Sequence, residues 1–204
     1  MLPSIRDELL RALRVTLVVF VVTGLIYPFV MTGLAQGLFH SQANGSLVTK
    51  NGQVVGSTLI GQYFTSPRYF QGRPSATTNL NNSSRPQPYN AANSAGSNLA
   101  PSNPTLLQRV EAEEKLIRKQ DGLAPNATVP VDAVTTSFSG VDPDISEAYA
   151  LLQVNRVASA RGLSPAGVRS LVESNVQGRV LYFFGSPYIN VLQLNMDLDA
   201  GQTS

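Results

Sequence analysis

The 204-residue chain has no cysteine and no tryptophan, and His40 is its only histidine. Without cysteine there is no disulfide, no thiolate nucleophile and no cysteine metal site. One histidine disfavours the convergent ligand sets of zinc sites and the base–nucleophile pairing of a catalytic triad. Charge is also scarce. Only 14% of residues are charged and the formal net charge is +2, so no basic patch argues for nucleic acid. The GxxxxGK[ST] and GxGxxG phosphate loops, HExxH, GxSxG and a TVGYG-type carbonyl filter are all missing.

What the chain does have is an uncharged apolar run from Val15 to Leu38, preceded by Arg6, Arg11 and Arg14 and followed by no formal charge until Lys50. About 24 residues at 1.5 Å each make roughly 36 Å of helix, enough to cross a hydrocarbon core of about 30 Å. Arginines flank the cytoplasmic end of a span. The expected organisation is therefore a cytoplasmic N-terminus at 1–14, a transmembrane helix at 15–38 and an extracytoplasmic domain at 39–204. A signal peptide cleaved after Ala35 is the competing reading, although the apolar region exceeds the usual signal core. Gly24 and Pro28 interrupt the run, and Gly33 and Gly37 form a small-xxx-small step where a partner helix can pack. With no ionisable group inside, this helix does not conduct ions alone.

Beyond the run, Leu47–Lys50 and Gln53–Val55 flank Asn51-Gly52, a hairpin signal, and strand character is expected to continue towards Phe64. Residues 75–104 are dense in Asn, Ser and Pro, which by composition predicts a long loop or disordered linker. Asn103 followed by Pro104 predicts a helix to about Gln120. Further helices are predicted over 146–160, closed by Gly162, and over 165–174. Strands are predicted over 129–136 and 179–184. Another is predicted through Leu192, Leu194, Met196 and Leu198, whose alternation with polar residues suggests a half-buried strand. These elements give an α+β fold class: a single transmembrane helix followed by one mixed domain. Asp132, Asp142, Asp144 and Glu147 cluster in sequence and admit an acid/base pair, with capping and turn formation as the plainer account.

Five segments carry a family resemblance. YFQGRPSA (Tyr69–Ala76) resembles YFxxRPSA, and SAGSNLAPSNP (Ser94–Pro104) resembles SGGSNLGPSNP. VPVDAVTTSFSGVDPDIS (Val129–Ser146), QVNRVASARGL (Gln153–Leu163) and INVLQLNMDLD (Ile189–Asp199) are similar to VPxDxVTxSxSGxDPxIS, QxxRVAxARGL and VNVLxLNxxLD. In this order, behind one span, they resemble the C subunit of the bacterial Kdp high-affinity potassium-transporting P-type ATPase over nearly the whole chain. Ala95 and Ala100 stand where the family pattern has Gly, and Phe138 and Asp144 where a smaller residue and a His are usual.

The resemblance implies a non-catalytic accessory subunit of the inner membrane, with membrane lipid and two proteins as partners. These are the potassium-translocating A subunit and the ATP-hydrolysing B subunit. It also implies a catalytic chaperone that raises the B subunit's ATP affinity, with no tightly bound cofactor of its own and ATP reached through the catalytic subunit. The nucleotide-proximal candidates are then Ser137, Ser139, Gly140, Asp142 and Gln153. The plain alternative is a strand-to-helix turn with Gln153 on a helix surface. Under the resemblance the 75–104 loop is ordered, with Arg73, Asn98 and Asn103 as the ordering residues. An external head would sit away from ATP, so nucleotide contact would need a cytoplasmic head or an effect through the helix. A released solute-binding domain and an anchored hydrolase using Asp142 or Glu147 are the other classes left open.

Overall fold

The computed structural model describes residues 4–201. It divides into two compact units, Met1–Leu47 and Val48–Ser204. In the first, Ser4 caps α1 (Ile5–Val21), accepting from the Asp7 amide, and the helix carries on through a π turn at Val22–Ile26 into α2 (Tyr27–Leu38). Pro28 explains the π turn. Its ring clashes with the carbonyl four residues back and it has no N–H to donate. The register widens instead of breaking, and Tyr27 donates to the Val22 carbonyl. Among the described residues this is the one helix long and apolar enough to cross a membrane, 34 residues from Ile5 to Leu38. A short α3 (His40–Ala43) follows.

The second unit is mixed α and β, with little sheet. β1 (Leu47–Lys50) pairs with β2 (Gln53–Ser57) across Asn51-Gly52, both at positive φ as the hairpin signal requires. The strand ends at Ser57 rather than near Phe64. β3 (Thr78–Asn79) and β4 (Asn82–Pro86) form an antiparallel pair inside the Asn/Ser-rich segment. α4 (Pro104–Gln120) starts on Asn103, whose side chain accepts from the Thr105 amide. α6 (Glu147–Arg161) starts on Ser146 and stops at Gly162 with φ 69°, and α7 (Pro165–Ser174) starts on Ser164.

Three expected strands are not strands. Residues 131–134 form the short helix α5 (Val131–Val134) after Pro130. The Asp132 carboxylate accepts from the Ser146 amide and hydroxyl, tying this turn to the start of α6. That tertiary anchor outweighs the β-branched composition. Residues 179–184 form a tight tip, paired only at Val180 and Phe184. Residues 191–200 form α8 (Val191–Ala200), whose buried side chains Val191, Leu192, Leu194, Asn195 and Leu198 follow helical spacing. Asn195 is polar yet buried, which disguised the 3.6-residue period as alternation. Asn190, at the end of the pair β5 (Asp144–Ile145) and β6 (Ile189–Asn190), caps α8 through the Gln193 amide.

α7 packs against both α6 and α8. The core holds Phe70, Ile145, Tyr149, Val154, Val157, Val168, Ile189 and Leu194, all essentially without solvent contact. Each large apolar side chain buried this way contributes about 1.5–3 kcal/mol.

Candidate functional site

The residues singled out in the sequence converge on an irregular segment, Pro67–Ser75, that runs through the core. It has no strand partner, so its backbone groups must be satisfied by side chains. Two buried amides do this. Asn195 accepts from the Phe70 amide at 2.8 Å and donates to the Phe70 carbonyl at 2.9 Å. Gln153 accepts from the Gln71 amide at 2.8 Å and donates to the Gln71 carbonyl at 3.0 Å. Each side chain imitates one rung of a β ladder.

Gln153 is 0% exposed, so it does not lie on a helix surface. Its oxygen also accepts from Arg156 at 2.6 Å, so the oxygen and one N–H of the amide are engaged inside the fold. Arg156 in turn donates to the carbonyls of Pro67 and Tyr69 and forms a buried ion pair with Asp121 at 2.7 Å. Burial pushes the Asp121 carboxyl upward, against the pull of the Arg156 guanidinium. Arg161 donates to the Arg68 carbonyl, stacks over the Tyr69 ring at 4.6 Å and pairs with Asp199 at 2.8 Å. Asp199 also receives Lys50 at 3.0 Å. Burial alone would raise the Asp199 carboxyl, but the hydrogen bonds from Arg161 and Lys50 hold it below its ordinary value.

The Ser137–Asp142 turn packs beside this segment. Ser137 accepts from the Gly140 amide and Ser139 from the Val141 amide. Ser75 donates to the Gly140 carbonyl at 2.6 Å, and Ser94 to the Ser139 carbonyl at 2.9 Å. Gly140 has φ 69°, and a Cβ there would collide with the Ala95 carbonyl and the Thr77 methyl, so both conformation and space demand glycine. Asp142 pairs with Arg73 at 3.1 Å. Arg73 also donates to the Thr136 carbonyl at 3.4 Å, while its Nε is buried without an acceptor. Phe138 points outward, 92% exposed. The turn and Arg73 are thus brought together, and Gln153 joins them only through the clamped segment.

Asn103 is the α4 cap, and Asn98 sits exposed at φ 52°, a conformation asparagine tolerates well. The hydrogen bonds that order the Asn/Ser-rich loop come largely from residues the sequence did not single out. Thr77 donates to the Gln87 carbonyl and accepts from the Asn90 amide. Asn90 and Asn93 both donate to the Thr78 carbonyl, and the Tyr89 hydroxyl donates to the Arg73 carbonyl at 2.7 Å. Burial, followed by the nearby Asp142 charge, raises the Tyr89 pKa well above its ordinary value. Dense Asn and Ser therefore act here as backbone partners. Neither Ala95 nor Ala100 is among the described residues at positive φ, so neither position demands glycine.

The carboxylates serve the fold as well. Asp132 holds Ser146, Asp142 holds Arg73, and Asp144 accepts from Asn190 at 3.1 Å. Burial raises the Asp144 carboxyl in spite of that bond. No group of His, Asp and Glu able to hold a metal occurs among the described residues. In the membrane-length helix, a Cβ on Gly24 would touch the Phe20 ring at 3.8 Å, whereas Cβ atoms on Gly33 or Gly37 would meet nothing within 4 Å.

A family described as KdpC, K+-transporting ATPase c chain, matches residues 9–200. A protein of Rhodopseudomonas palustris (strain BisB18) called potassium-transporting ATPase KdpC subunit is 51% identical over 206 aligned residues, covering 99% of this chain and 100% of that protein. A protein of the same name from Methylobacterium nodulans is 53% identical, covering 98% of each chain. Another, from Burkholderia cenocepacia, is 52% identical, covering 97% of this chain and 98% of its own.

Proposed function

The chain belongs to the KdpC family of K+-transporting ATPase c chains, and from that premise we propose that it is a non-catalytic assembly subunit of a potassium-transporting ATPase. Its single membrane helix anchors it beside the potassium-translocating and ATP-hydrolysing subunits in the bacterial plasma membrane. Arg6, Arg11 and Arg14 stay in the cytoplasm, and the Val48–Ser204 head stands outside. Gly33 and Gly37, one turn apart, provide the step on which a partner helix packs, and Gly24 and Pro28 offer a second place for close approach.

The observation that carries this reading is that the polar side chains best suited to a ligand are bonded to the fold itself. The Gln153 amide is spent on Gln71 and Arg156. Ser137 and Ser139 accept from the backbone of their own turn, and Asp142 is paired with Arg73. Such a head is a rigid shape for contact, with ATP left to the hydrolysing subunit. A role in raising that subunit's ATP affinity would then act through assembly and not through these side chains.

The test is the accessibility of a single thiol. The chain has no cysteine, and Ser174 is exposed at the end of α7. Ser174→Cys should react with a membrane-impermeant maleimide in intact cells. Labelling only in inverted vesicles would overturn the external head and restore direct nucleotide contact.

A further inference from the structure

The Arg179–Phe184 tip is the most conspicuous unused feature of the head. Val180 and Phe184 exchange two backbone hydrogen bonds of 3.0 Å, closing a three-residue loop. Val180, Leu181, Tyr182, Phe183 and Phe184 are all exposed, Tyr182 by 97%. Leu181 and Tyr182 both lie at positive φ, 51° and 69°. At the β1–β2 tip the two consecutive positive-φ positions hold Asn51 and Gly52, the residues that tolerate them best. Large apolar residues in the same backbone region are strained without any gain in core burial. Strain retained at an exposed position points to function.

The surroundings say what would cover it. Ser186, Pro187 and Tyr188, which follow the tip in the chain, line a concavity of about 360 Å³ together with Val131, itself 73% exposed. Asp132, Asp142, Asp144 and Arg73 also line it, so three carboxylates face one guanidinium. A net-negative hollow beside an aromatic knob repels anionic lipid head groups and suits a basic protein side chain. Aromatic anchors beside charged, hydrogen-bonding rims are also the composition of protein interfaces.

We infer that the Arg179–Phe184 tip, together with Val131 and the acidic hollow beside it, docks onto another subunit of the same ATPase, one presenting an apolar cleft with a basic side chain at its edge. This rests on the reading of the chain as an assembly subunit. The experiment uses the tagged full-length chain coexpressed with the other subunits and purified in detergent. Replacing Tyr182 by the photoreactive analogue benzoylphenylalanine should give a light-dependent adduct with one membrane-embedded subunit, identified by peptide mass. Tyr182→Ser with Phe183→Ser should lower the co-purified subunits at least tenfold with an unchanged circular dichroism spectrum. Leu80→Ser, at an exposed apolar residue in the Asn-rich loop, should retain them. An adduct on lipid or on a second copy of this chain overturns the inference, as does full co-purification of the double serine variant or an equal loss with Leu80→Ser. If the unmodified chain itself fails to co-purify, it is the assembly reading that fails.

Discussion

Two irregular stretches of the head handle polarity in opposite ways. Pro67–Ser75 carries bare backbone into the core, where side chains of α6 and α8 meet both backbone groups of Phe70 and of Gln71 and the carbonyls of Pro67, Arg68 and Tyr69. Arg179–Phe184 closes its own backbone and holds its apolar side chains out in solvent. The first arrangement is built from within and should fail when any clamp is cut. The second contributes little to the fold, so its substitutions should be felt outside the molecule. Absence of regular secondary structure thus has two unrelated meanings in one domain.

The strongest way to break this comparison is Arg156→Ala. It would leave Asp121 charged and buried, and it would strip donors from the Pro67 and Tyr69 carbonyls and the Gln153 oxygen. Removing one partner of a buried pair costs about 3–5 kcal/mol. Denaturant unfolding of the full chain in detergent should show that loss, and a change below about 1 kcal/mol would mean the segment is not clamped as described.

Gln153→Leu comes next. It orphans one N–H and one C=O of the half-buried Gln71, each worth at most about 1–3 kcal/mol. This variant also separates two roles. If Gln153 serves the fold, stability falls and the ATP concentration dependence of the assembled pump stays normal wherever assembly survives. An unchanged unfolding curve with a raised KM for ATP would favour direct nucleotide contact instead.

The tip should respond with the opposite sign. Leu181→Asn with Tyr182→Gly installs residues that accept left-handed backbone, where other L-residues lose about 1–2 kcal/mol each. The variant head should unfold at higher denaturant by about 1 kcal/mol or more, because almost no burial is lost. If it is instead destabilised, the exposed side chains support the fold and the contrast between the two stretches disappears.

This contrast also explains what was legible in the sequence. Helices with a cap residue followed by an apolar stripe were readable at Asn103, Ser146 and Ser164, because their start signals are local. The membrane-length helix was readable because length and apolar composition alone define it. α8 was misjudged because Asn195 belongs to the core for the sake of Phe70, a partner 125 positions earlier in the chain. Residues 179–184 look like a buried strand by composition, and nothing local reveals that the apolar side chains remain uncovered. The site suffered in the same way. Gln153 was singled out as a ligand candidate, but its engagement with Gln71 depends on a segment 82 residues away.

The mildest probe is pH. The Asp199 carboxyl lies below its ordinary value once the Arg161 and Lys50 bonds have overcome the effect of burial. A carboxyl depressed in the folded state binds its proton more weakly than in the unfolded chain. It therefore contributes stability above the ordinary carboxylate value of about 3.9 and loses it as pH falls through the folded value. Because Tyr69 and Arg161 meet at this carboxylate, acid should loosen the clamped segment first. Asp199→Asn should flatten the acid limb of the stability curve while leaving the behaviour of the tip unchanged, since Val180–Phe184 contains no group that titrates in acid. Equal acid limbs in wild type and variant would remove Asp199 from the clamp and leave Arg156 and the two amides to hold the segment alone.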